Sequence, residues 1–132
     1  MELLTDEALI MAGGWHPRYA RVLLIQYIDP EALALVDGNG NGAEVECEQW
    51  SWTSEGWVER SSNGIGPLDG RAPWTWGELA DIGFVVGCAE PGTTVMVKWG
   101  TETQEAIAND NGVWVGLFDE RPATSSRPTL VF

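Results

Sequence analysis

One histidine, two cysteines and seven basic side chains are all that this 132-residue sequence offers of the groups most used for catalysis, metal binding and polyanion recognition. The histidine, His16, lies in Gly13-Gly14-Trp15-His16-Pro17 with no serine or cysteine nucleophile in a recognisable elbow beside it, which removes the usual nucleophile and base arrangements. Glycine loops followed by a phosphate-binding lysine, and histidine pairs at metal-ligand spacing, are also missing. Cys47 and Cys88 are far apart and form no C-x-x-C, so they read as free, buried thiols of a reducing compartment. A disulfide between them would require their Cβ atoms to meet. No apolar run approaches the ~20 residues that span a bilayer. The opening Met1-Glu2-Leu3-Leu4-Thr5-Asp6-Glu7 carries acid where a secretory signal carries base. The expected location is therefore the cytoplasm.

The deficit of positive charge is the strongest constraint on partners. Twenty acidic residues against seven basic ones leave a net charge of −13 and a pI near 4.1. Nucleic acid and anionic membrane would both be repelled before any specific contact formed. A cationic partner is the permitted kind, although the same charge also keeps a tryptophan-rich surface soluble.

What the chain does contain is β-strand pattern. It is 44% hydrophobic with eight tryptophans, too apolar for disorder. Its length suits one domain, 1–132, able to bury roughly two-thirds of its unfolded surface. Thr5, Asp6 and Glu7, then a short apolar run and Gly13-Gly14, predict one helix over residues 6–12. Strands are expected within 18–60, a long Gly/Pro/Ser-rich loop over 61–73, further strands within 74–118, and a polar tail over 119–132 that could end in a short edge strand. Over 93–118 the alternation is clearest. Val95, Val97 and Trp99 share a face, Asn109-Asp110-Asn111-Gly112 supplies a turn, and Val113, Val115 and Leu117 form the inner row of the next strand, which leaves Trp114 on the outer one. The fold class expected is all-β: an antiparallel β-sandwich of about eight short strands with one short N-terminal helix.

The runs ALALVDGNG, EVEC, GWVERSSNGIGPL, AEPGTTVMVKWG and NGVWVGLF, spanning roughly residues 20–118, together resemble a family of small uncharacterised actinobacterial proteins. That resemblance implies the sandwich and transfers no activity and no catalytic residue.

Two constellations carry chemistry. Asp37-Gly38-Asn39-Gly40-Asn41-Gly42 followed by Glu48 fits the spacing of an EF-hand calcium loop, with Asp37, Asn39, Asn41 and Glu48 as ligands. The flanks alternate as strands rather than helices, and Glu44 occupies the position where an aliphatic residue is usual. The leading reading is a Gly/Asn hairpin turn with no cofactor, and calcium is the alternative. In the second constellation, strand parity puts Glu44, Glu46, Glu48, Trp50 and Trp52 on one face, with Trp57 following after a turn. Three glutamates together call for solvent, so the row is expected to face water as a binding surface of carboxylates and indole rings. The competing expectation is that a bulge near Gln49 turns Trp50 and Trp52 into the core.

The function expected is non-catalytic binding, most concretely an immunity- or inhibitor-like acidic domain that binds a basic protein. The alternatives are a small-ligand or carbohydrate module using the Trp/Glu face, and a structural domain that oligomerises. Carboxylate-only catalysis would need a defined separation of two carboxyl groups, a three-dimensional quantity.

Overall fold

The computed structural model describes residues 2–28, 30–69, 73–79, 82–118 and 127–131. Among them are one helix and ten strands, and every strand pairing is antiparallel. This is the all-β class with a short N-terminal helix that the alternation predicts. The chain divides into two compact units, Met1–Pro67 and Leu68–Phe132.

The first unit begins with α1 (Asp6–Ala12), whose N-cap is Thr5. The Thr5 side chain accepts the Ala8 N–H at 3.1 Å, and Asp6 and Glu7 occupy the first turn, where the helix dipole favours acid. A four-stranded sheet follows in the order β1 (Arg21–Ile28), β2 (Glu31–Asp37), β3 (Val45–Thr53) and β4 (Gly56–Gly66). Residues 61–66, expected in a loop, belong to β4 and pair with β3. Ser61, Ser62, Asn63 and Gly64 are weak strand formers, and the cross-strand partners Gln49, Glu48, Cys47 and Glu46 hold them in the ladder. The remainder of that loop includes residues 70–72, which lie outside the described set.

One face of this sheet carries Val22, Ala32, Ala34, Val36 and Trp50. Leu4, Leu9 and Ala20 pack against them, with Ile10 and Trp15 partly buried alongside. The opposite face carries Leu33, Leu35 and Cys47, all fully buried. Two polar side chains buried there, Gln49 and Ser51, donate to the two carboxylate oxygens of Glu31 at 2.9 and 3.2 Å, so their burial leaves no orphan group.

The second unit holds two three-stranded sheets. One has the order β5 (Trp74–Leu79), β6 (Ile82–Cys88), β9 (Val113–Phe118). The other has the order β10 (Thr129–Val131), β7 (Thr94–Trp99), β8 (Glu102–Ile107). Their shared core takes Val85, Trp114 and Phe118 from the first and Val95, Val97, Trp99 and Ala106 from the second. That is sheet-on-sheet packing, a small sandwich. Trp99 meets Trp76 and Phe118 edge to face, with ring centroids 5.5 Å apart in each case.

The β7 parity is as expected, but β9 is reversed. Trp114, Gly116 and Phe118 point inward and are buried, whereas Val115 and Leu117 are half-buried. An alternation of large apolar residues on both faces cannot identify its inner face, and the ring volumes of Trp114 and Phe118 decide it. Trp114 lies against Gly87, where a Cβ would stand 2.3 Å from Cζ2. Only glycine admits the indole there. Of the expected tail, 119–126 and Phe132 fall outside the described residues, and 129–131 form β10.

Candidate functional site

The first unit gathers carboxyl groups and indoles on one face of β3 and β4. Both register shifts between these strands place the extra residue in β4: Ile65 opposite the Val45–Glu46 step and Arg60 opposite the Gln49–Trp50 step. The alternation of β3 is therefore intact, and Glu46, Glu48, Trp50 and Trp52 do share a face, opposite Gly64, Ser62, Glu59 and Trp57.

That face does not point at water along its length. Val36, Ala34 and Ala32 are the β2 partners of Glu46, Glu48 and Trp50, so the acidic row runs into the core. Glu48 and Trp50 are each 1% exposed, Glu46, Trp52 and Trp57 are half-buried, and Glu44 is exposed. The expectation of a solvated glutamate row is thus corrected at Glu48. The competing expectation is met in part: a register shift does fall at the Gln49–Trp50 step and Trp50 is core, but the extra residue belongs to β4, β3 keeps its alternation, and Trp52 is half-buried.

Glu48 is buried because two indole N–H groups satisfy it. Trp15 Nε1 donates to one carboxylate oxygen at 3.0 Å and Trp50 Nε1 to the other at 3.1 Å. Each hydrogen bond to a charged acceptor contributes about 1.5–3 kcal/mol, while burying a carboxylate costs several kcal/mol. Burial prevails. It raises the Glu48 pKa to about 7, with the charge of Glu59 adding to the rise and the two indole bonds opposing it. Glu59 is raised in turn, chiefly by burial and by Glu46, with a hydrogen bond to Glu48 acting the other way. Glu46, Glu48 and Glu59 form a coupled carboxyl cluster on two adjacent strands.

Beside this cluster is a pocket of about 310 Å³ lined by Trp15, Gly38, Glu44, Val45, Glu46, Gly64 and Gly66. Trp15 reaches it because the chain turns at Gly13-Gly14 after α1 and because Gly38 has no side chain. A Cβ at Gly38 would stand 2.8 Å from the ring. Gly64 and Gly66, across from Glu46 and Val45, leave the opposite wall open, and a Cβ at either would touch nothing within 4 Å. The result is a recess whose lining includes an indole and two glutamates, with Glu48 hydrogen-bonded to that indole. Such a donor set attracts an organic cation by Coulomb and cation–π forces. Sequence reasoning missed Trp15 and Glu59. Glu59 was recoverable from strand pairing, but nothing local relates Trp15 to a strand more than thirty residues on.

Trp52 and Trp57 meet edge to face at 5.6 Å, and the Trp57 Nε1 donates to the Glu2 carbonyl at 2.9 Å. Their edges are committed within the unit, away from the recess.

The Asp37–Glu48 segment is a hairpin connection between β2 and β3. Asp37 is 2% exposed, and its two carboxylate oxygens accept the Gly40 and Gly42 N–H groups at 3.0 and 2.7 Å. Asn41 caps Ala43 N–H at 3.0 Å, Asn39 is exposed, and Glu48 is held by the two indoles. Asp37 and Glu48 thus serve different structures. Among the described residues no group of three or more His, Cys, Asp or Glu side chains is arranged to hold a metal ion, and no helix is long and apolar enough to cross a membrane. Both cysteines are free thiols: Cys47 is buried, and burial pushes its pKa up, while Cys88 is half-exposed.

Comparison with protein-family models, with curated proteins and with solved structures finds no match.

Proposed function

We propose that the first unit binds a basic protein, and that a lysine or arginine side chain of that partner enters the Trp15/Glu44/Glu46 recess. The observation that carries this reading is the recess itself: an indole and two carboxylates around about 310 Å³ of space that glycines keep open. The net charge of −13 acts in the same direction by steering a cationic surface toward the molecule at low ionic strength. In this reading the chain is a non-catalytic binder of the immunity or inhibitor type, which masks a cationic surface.

A lysine- and arginine-rich peptide titrated into the protein tests it. Binding followed by calorimetry should weaken about tenfold or more between 50 and 500 mM salt. The E44Q/E46Q double variant should lose at least about tenfold in affinity, and W15F should remove the accompanying fluorescence change. Binding indifferent to salt, or unchanged in E44Q/E46Q, would reject the proposal.

A further inference from the structure

The second unit contains a larger recess of different chemistry. About 570 Å³ lies open between the two sheets, walled by Trp74, Cys88 and Trp114 from the β5-β6-β9 sheet and by Val95, Thr129 and Leu130 from the β10-β7-β8 sheet. Sheet order explains its position. β8 and β9 are the edges that approach one another, joined by the turn at 109–112, whereas β5 and β10 are the two opposite edges. The sandwich is closed along the first pair of edges, and residues of the second pair line the cleft.

We infer that this cleft is a binding site for one uncharged, planar, apolar small molecule. Among the described residues the lining contains no acidic, basic or histidine side chain. A cationic ligand would find no counter-charge there, and an anionic one would meet the repulsion of a strongly acidic chain. The volume falls in the range of small-molecule sites, roughly 300–1,000 Å³. Flatness follows from the walls. Pro73, Pro128 and the two indoles present rigid plates, and Trp114 is fixed where it lies against Gly87. A slot built from such side chains loses little conformational entropy when filled and matches a ring system better than a flexible chain. Thr93 and Thr129 are the hydroxyl-bearing residues of the lining.

Nile red, a neutral planar dye, serves as the probe on the intact chain. It should bind saturably at one site per chain, and unlabelled neutral naphthalene derivatives should displace it. Leu130 pairs with the core residue Val97 on a three-residue edge strand and packs on the inner face, so Leu130→Trp fills the cleft from its rim. It should lower dye affinity at least about tenfold with the circular dichroism spectrum unchanged. An independent readout needs no variant. Saturating dye should shift the backbone amide resonances of Trp74, Val95 and Leu130, which line the cleft, and leave those of β2 and β3 in place. If Leu130→Trp fails to fold, these shifts decide alone. Dye emission that rises without saturation, resonance shifts that miss the cleft, or displacement by dodecanol but by no planar competitor would each overturn the inference.

Discussion

Glu48 ties the stability of the first unit to proton binding. Its folded pKa of about 7 stands above the ordinary 4.5, so between those values the folded chain holds the proton more tightly than the unfolded chain. Stability from this group is therefore fully present below pH 4.5, falls as pH rises through the window, and is lost above 7. Glu59, raised as well, contributes in the same direction. Denaturant unfolding at pH 5 and pH 8 should show the wild type less stable at pH 8, with E48Q flatter across the interval. E48Q should also be less stable than wild type at pH 5 by about 1–3 kcal/mol: Trp15 and Trp50 donate to different oxygens, and the amide nitrogen that replaces one of them cannot accept, whereas a protonated carboxyl group keeps a lone pair on each oxygen. A wild-type profile rising toward pH 8 would contradict the assignment.

At the level of elements, the connection between β2 and β3 depends on one side chain. Asp37 closes it by accepting two glycine N–H groups, so D37A strands both donors. Amide exchange at Gly40 and Gly42 should accelerate markedly, with a loss of about 1–3 kcal/mol in unfolding free energy, while amides of β6 in the other unit stay unchanged. Equal acceleration throughout the chain would mean that Asp37 supports more than its turn. Elements were also where the sequence was most legible. The Thr5 cap, the first-turn acids and Gly13 delimit α1 at the residues expected, and period-two alternation finds β3, β7 and β8. The direction of a face was less legible. In β3 the alternation of Glu46, Glu48, Trp50 and Trp52 is real, yet nothing in the strand says that indole donors will be waiting for Glu48. In β9 both rows are apolar, so pattern alone could not choose. Long-range pairing supplies both answers, and it is not encoded in any window of ten residues.

Across the whole molecule, twenty acids opposed by seven bases impose self-repulsion on the folded chain. Screening should relieve it. Raising sodium chloride from 20 to 200 mM, where the Debye length falls below about 10 Å, is expected to raise the melting temperature by a few degrees in a calorimetric scan at pH 8. A melting temperature that falls with salt would show that attractive pairs outweigh the repulsion. The two recesses respond differently to the same variable: ligands of the acidic one weaken with salt, and ligands of the apolar one do not.

The two extra residues in β4 affect more than the face they carry. β4 is an outer strand of its sheet, and Arg60 and Ile65 interrupt the even spacing of its free amide and carbonyl groups, with Glu59 and a glycine-bearing end adding charge and slack. A neighbouring chain seeking to dock strand against strand would find no long straight template along that border. Concentrated solutions should accordingly resist fibril growth from this side, despite a composition so rich in β-forming residues.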